Sequence, residues 1–404
     1  MNNNTIHILY MKTNKLYFSA LLAVGMAVTG CSSDEPAKLL GVVPEMPLTE
    51  VQSRTAGEVA NINESLFIGS NRAAEADENV VCSPLAALQL VTMHTLLDGK
   101  MTDPLLHFLG CTDIDALNEL NRQYIETLPT LDPMVSFSQD NRVWIAEEDA
   151  NPEAAATLRN IYQATVFEHS KAHPADPSKF YKASIWMYIA NDVKADEMET
   201  SYQCDINFSA EWAKTFDKAD TRRKTFTLTD GTTVEVPIMQ SEQSGRYFVN
   251  DKFQAASIDF GNGAYEAIFV LPHESGTQKL NELIDSGIDE LLTSEMTSFK
   301  LNIQIPRIAI GSLYKKTDVV VKAYDEEMEN LNLGHISTAL TLNESGAKII
   351  ASDNIVGYID SGTKTFSATR PFLLFIRLKQ TGICVLEAKV LRPYTKEASE
   401  LDRI

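Results

Sequence analysis

Cysteine is scarce, five in 404 residues, and no C-x-x-C pair occurs. That excludes a disulfide scaffold and the usual zinc or thiol-redox motifs. Basic residues are outnumbered, 35 Lys+Arg against 55 Asp+Glu, for a formal charge of −20. A nucleic-acid binder needs the opposite sign along a phosphate track, so no nucleic-acid partner is expected. G-x-S-x-G, H-E-x-x-H and the P-loop are all missing, which removes the commonest nucleophile, zinc-protease and phosphate-binding signatures. His169 and His173 stand four apart, but Pro174 follows at once among polar neighbours, so the pair reads as a solvated surface feature. His94 and His107 lie in apolar helical context as core or boundary residues. No metal, cofactor or enzymatic activity is expected. Cys82, Cys111, Cys204 and Cys384 sit in apolar stretches, where thiols behave as small hydrophobes, and the sequence does not say whether any are paired.

Long hydrophobic runs are also lacking, with one exception at the start. From Met11 the chain reads MKTNKLYFSALLAVGMAVTGCSSDEP. Lys12 and Lys15 give a basic opening, Leu16 to Thr29 is apolar and small, and Cys31 follows small residues. This is the form of a secretory signal over residues 1–30. Its ending resembles a bacterial lipobox, which makes Cys31 the expected lipid carrier of an exported lipoprotein. Removal of residues 1–30 leaves 33 basic against 55 acidic side chains, or −22. Ser33-Asp34-Glu35 resembles an acidic export signal, so the expected place is the outer membrane or cell surface. Residues 31–49, with Pro36, Pro44 and Pro47, read as a tether. Contact with the membrane is expected through the lipid alone.

The remaining 50–404 reads as one α+β domain. Val59, Ile62 and Leu66 recur at helical spacing, as do Ile114, Leu117, Leu120, Tyr124 and Leu128. Strand patterns fill the second half. Phe226 to Leu228 and Val234 to Ile238 flank Asp230-Gly231, a hairpin signal. Tyr265 to Leu271 reads as a buried strand, Leu301, Ile303 and Ile305 alternate with polar residues, and Phe372–Leu378 and Ile383–Leu391 read as two further strands. Helices early and strands late, without a βαβ rhythm, give the class. After a strand at Ser337 to Leu342, some twenty residues beyond Gly346 are small, polar or β-branched with no period. A loop that long is usually functional or disordered.

Nine motifs in order carry a resemblance to the serpin family over about residues 55–395. They include Asn79-Val-Val-Cys-Ser83-Pro84, Asn141-Arg-Val-Trp-Ile145, and Phe208-Ser-Ala-Glu-Trp212 with Phe216, Thr221 and Phe226. Val236-Pro-Ile-Met239, Ile268 to Pro272, Ile305-Pro306-Arg307, Asn343-Glu344-Ser-Gly346, Arg370 to Ile376 and Val390 to Pro393 follow. The resemblance implies three β-sheets, about eight or nine helices and an exposed reactive-centre loop at about 344–366. It also implies a monomeric suicide-substrate inhibitor that is acylated by a serine or cysteine protease and inserts its loop into the main sheet.

Carried onto this chain, the resemblance makes Glu344, Gly346, Ala347, Ile349 and Ala351 the hinge. Counting sixteen residues from Glu344 gives Asp360-Ser361 as the reactive bond, with Tyr358 or Ile359 as alternatives if the register slips. Asp360 calls for a protease with a basic specificity pocket. Ser83 and Cys204 fall in the sheet-opening region, Cys204 standing where the family has asparagine. With Ala347 facing inward, the inserted face reads Ala347, Ile349, Ala351, Asp353, Ile355. Ile349-Ile350 departs from the family's run of small residues, and a buried Asp353 is costly. The alternative is a non-inhibitory serpin that serves as a surface binding or structural module. An arginine at Ala347 is expected to block insertion while leaving the uncut fold intact.

Overall fold

The computed structural model describes residues 42–97, 99, 102–181, 194–286, 296–315, 335–347 and 363–404. The signal segment, Cys31, Ile349, Ala351, Asp353, Tyr358, Ile359, Asp360 and Ser361 lie outside these residues. The helices are α1 Glu50–Val59, α2 Asn61–Ala73, α3 Pro84–Thr95, α4 Thr102–Leu109, α5 Ile114–Thr127, α6 Pro152–Asn160, α7 Pro177–Phe180 and α8 Thr277–Asp285. The strands begin with β1 Val80–Cys82, β2 Val135–Ile145, β3 Thr165–Glu168, β4 Ser201–Glu211 and β5 Arg222–Thr227. They continue with β6 Thr233–Val249, β7 Phe253–Phe260, β8 Tyr265–Pro272, β9 Thr297–Pro306 and β10 Ile308–Lys315. Last come β11 His335–Leu342, β12 Gly346–Ala347, β13 Thr363–Ser367, β14 Phe372–Leu378 and β15 Cys384–Val390.

The chain forms two compact units, one comprising Asn141–Gln203 among the described residues, the other Ala37–Asp140 with Cys204–Ile404. In the smaller unit the end of β2 runs parallel to β3, Arg142 opposite Thr165 and Ile145 opposite Glu168. Trp144 is fully buried against the edge of Phe180. Asn151 caps α6 by accepting from the Glu153 and Ala154 amides, and Pro152 occupies the first turn, where its missing N–H costs nothing. His169 is not a solvated residue: it is half-buried, stacks on Trp144 with 5.3 Å between ring centres, and its Nδ1 accepts the Ala175 amide at 3.2 Å. Of the two histidines only His173 is exposed.

The larger unit is built on a nine-stranded sheet in the order β1-β15-β14-β8-β7-β6-β9-β13, with β5 on β6. All eight residues of β8 and all seven of β15 are buried. Strands covered on both faces carry apolar side chains toward each of them, which is why the Tyr265 and Phe372 segments show little alternation; the charged residues they contain, Glu266 and Arg377, pair with each other at 2.9 Å. The Asp230-Gly231 hairpin is present: Phe226 pairs with Val234, and Gly231 has φ +81°. Helix α3 is apolar nearly all round and correspondingly buried. The periodicity through Val59, Ile62 and Leu66 is divided at Ala60 into α1 and α2. Asn63 of α2 ties to the β14–β15 turn, donating to the Gly382 carbonyl at 2.9 Å and accepting the Cys384 amide at 2.9 Å.

Two local features bear on the sequence reading. The tether expected to reach Thr49 is already fixed to the body at Met46, which is 3% exposed. Gln380 accepts the Met46 amide at 2.7 Å and donates to its carbonyl at 2.9 Å. Cys82, Cys111, Cys204 and Cys384 form no disulfide. Burial drives the Cys82 and Cys384 thiols well above their ordinary value and pushes Cys111 up to about 12, so these three are inert packing groups. Among the described residues no helix is long and apolar enough to cross a membrane.

Candidate functional site: the hinge turn

Strand β11 runs antiparallel to β10, from Ile308 opposite Leu342 to Lys315 opposite His335. Beyond Leu342 the chain reverses. The Asn343 amide donates to the Gly346 carbonyl at 3.0 Å and the Gly346 amide to the Asn343 carbonyl at 3.1 Å. Asn343 Oδ1 accepts the Ser345 amide at 3.0 Å, the local side-chain bond that makes asparagine a turn former. The returning residues then pair with β4, Gly346 opposite Glu211 and Ala347 opposite Ala210.

The top of β4 holds this turn by its main-chain carbonyls. The Trp212 indole N–H donates to the Asn343 carbonyl at 2.9 Å. The Trp212 amide donates to Ser345 O and the Phe216 amide to Glu344 O, each at 2.9 Å. Trp212 is itself immobilised by stacking on Phe260, with ring centres 4.4 Å apart. Glycine at 346 follows from the geometry. Its φ is +148°, and a β-carbon there would lie 2.1 Å from the Ala210 carbonyl and 2.7 Å from Glu211 Cα. No side chain fits where two backbones approach this closely.

Glu344 is 1% exposed. Arg307 Nε lies 2.9 and 3.0 Å from its two carboxylate oxygens, Arg307 Nη2 is 2.8 Å from Oε1, and the Thr221 hydroxyl donates at 2.6 Å. Burial pushes the carboxyl pKa up, but the bonds from Arg307 and Thr221 more than offset it, leaving the group below its ordinary value. Arg307 Nη1 donates to the Leu401 carbonyl at 2.9 Å.

Glu344, Gly346 and Ala347 are thus brought together, while Ile349, Ala351 and the reactive bond lie outside the described residues. Ala347 is 4% exposed, so an arginine there would disturb the uncut molecule as well, against the expectation of an intact fold. Ser83 caps α3, its hydroxyl accepting the Ala86 amide at 3.4 Å. Cys204 is half-buried on β4. Arg307, Thr221 and Trp212 stood in the sequence as motif letters without assigned roles. The signal for Arg307 was a cation two residues past the alternating stretch Leu301 to Ile305; its partner lies 37 residues away and could not be read from spacing.

A sequence model of the serpin (serine protease inhibitor) family matches residues 66–393. A serpin-like protein of Thermococcus kodakarensis is 24% identical over 46% of this chain and 48% of its own, so the match spans about half its length. Serpin-Z1 of Arabidopsis thaliana is 23% identical over 79% of this chain and 90% of its own. Among solved structures, an Arabidopsis serpin in its native stressed conformation has a TM-score of 0.68 at 19% identity, covering 86% of this chain and 99% of that one. Human thyroxine-binding globulin complexed with thyroxine also has 0.68, at 16% identity, covering 85% of this chain and all of that one. The ordered motifs, the α+β sheet architecture and the match over most of the sequence make this chain a member of the serpin family.

Proposed function

We propose that this protein is a single-use trap for a serine or cysteine protease. The observation that carries the reading is the hinge: Gly346 and Ala347 already occupy the first two pairing positions beside β4. In that register Ile349 would fall opposite Phe208, Ala351 opposite Ile206 and Asp353 opposite Cys204. Phe208, Ile206 and Cys204 are half-buried, whereas Ala210, already covered by the hinge, is buried. Each added residue would gain ladder hydrogen bonds and cover part of this apolar strip, which supplies a driving force for strand addition.

The chemical step belongs to the protease. Its nucleophile attacks the Asp360 carbonyl, the Asp360–Ser361 bond breaks, and the Ser361 amine leaves with a proton while the acyl bond forms. The Tyr358 and Ile359 carbonyls are the alternatives. Loop addition then carries the acylated enzyme along the sheet before water can release it. Lipid attachment at Cys31, display at the outer membrane or cell surface, and a monomeric state belong to the same proposal and rest on the sequence. Asp353 favours a second reading, a binding module that is cut without trapping, because it is the charged residue on the face to be buried.

Incubating the full chain with serine and cysteine proteases, including enzymes that cut after aspartate, separates the two. The trap gives an SDS-stable adduct of summed mass in near-stoichiometric yield. Cleavage within 348–362 with no adduct in any reaction supports the module instead.

A further inference from the structure

The hinge is gripped from a second direction, by the stretch that follows β15. The Ala309 amide donates to Pro393 O at 2.8 Å and the Thr395 amide to Ala309 O at 3.0 Å, so residues 393–395 extend the edge of β10. The Gly311 amide adds a bond to the Thr395 hydroxyl at 3.1 Å. A 3₁₀ turn, Ala398–Asp402, then seats Leu401 with no exposed surface, while Asp402 pairs with Arg223 of β5. From this turn two contacts reach the hinge. Leu401 offers its carbonyl to Arg307, whose remaining donors hold Glu344. Asn343 Nδ2 donates to the Ile404 carbonyl at 3.4 Å. Asn343 and Glu344, the first two residues of the turn, are therefore both referenced to one short segment.

We infer that residues 394–404 form a latch that keeps the turn at 343–346 folded back on β4, and so sets the ratio of trapping to simple cleavage. The inference rests on the trap reading for that last consequence. The physical reason is nucleation: the first pairs of a new strand cost chain entropy before they gain much ladder, and a turn fixed beforehand removes that cost. Arg307 is the positioning residue, because one planar guanidinium serves the carboxylate and the carbonyl together, which an ammonium cannot do.

The test is amide hydrogen exchange on the uncut full chain and on a chain ending at Lys396, comparing 343–347 with 253–272. The latch requires exchange in 343–347 to rise tenfold or more on truncation while 253–272 is unchanged. Arg307→Lys should raise hinge exchange in the full chain and add little in the shortened one, a non-additive pair. If truncation leaves 343–347 unchanged, or loosens 253–272 equally, the latch is wrong. Should the truncated chain fail to fold, Leu401→Gly in the full chain takes its place with the same expectations. Adduct yield per loop cleaved should fall several-fold in parallel. A wild-type chain that forms no adduct refutes the trap reading, and the exchange comparison then decides the latch alone.

Discussion

Replacing Gly346 with valine should abolish trapping while leaving the loop cleavable. The added side chain would meet the Ala210 carbonyl and Glu211 Cα at impossible distances, at a φ of +148° that L-residues rarely adopt. Backbone strain of this kind alone costs on the order of 1–3 kcal/mol, and the clash adds to it, so β12 should leave β4. The carbonyl bonds from Trp212 and Phe216 to residues 343–345 should loosen with it. The measurement is SDS-stable adduct per loop cleaved, expected to fall at least tenfold. Ser345→Ala is the control. The turn uses Ser345 through its amide and carbonyl, so that variant should stay within about 0.5 kcal/mol of the parent in a urea titration. Undiminished adduct from the Gly346 variant would mean that the hinge does not enter the sheet in this register.

The second large effect belongs to the Glu344–Arg307 pair. Arg307→Met leaves a carboxylate with 1% exposure and only the Thr221 hydroxyl among its side-chain partners. Removing one member of a buried ion pair costs about 3–5 kcal/mol, chiefly from the charge left behind. Chemical denaturation should show a loss of that order. The pH dependence follows from the lowered carboxyl pKa of Glu344. Its folded value lies below the ordinary 4.5, so the stabilisation is fully present above that value and is lost as pH falls through the lower, folded one. The difference between wild type and Glu344→Gln should therefore be large at neutral pH and shrink below about pH 4. A difference that stayed constant to pH 3 would place the stabilisation in packing rather than charge.

Much of the fold was legible because its signals are local. The Asp230-Gly231 hairpin needs only the turn residues and the alternation beside them, and the buried runs at Tyr265 and Phe372 announce strands covered on both faces. Helix α5 follows from the 3.6-residue period after its Asp113 cap. The break at Ala60 was invisible because the apolar spacing continues across it. His169 was misread since its stacking partner, Trp144, is 25 positions away along the chain. The family motifs brought the hinge residues into view, and small side chains at 346 and 347 suggested a strand-forming segment. Composition could not show that the turn is already folded back, since that depends on the Trp212 indole and on a carbonyl of β4 standing where a β-carbon would be. Nor does periodicity mark 394–404 as part of the site: its grip on Arg307 and Asn343 runs through main-chain carbonyls, which carry no sequence signature.

The central claim is that the uncut chain sits above a more stable arrangement that its loop completes by joining the sheet beside β4. Thermal melting before and after a single cut within 348–362, with the cut located by mass spectrometry, tests it most directly. The nicked protein should melt higher by about 10 °C or more, since each kcal/mol moves the midpoint of a large chain by roughly 2 °C. A nicked protein that melts at or below the temperature of the intact one would contradict the account.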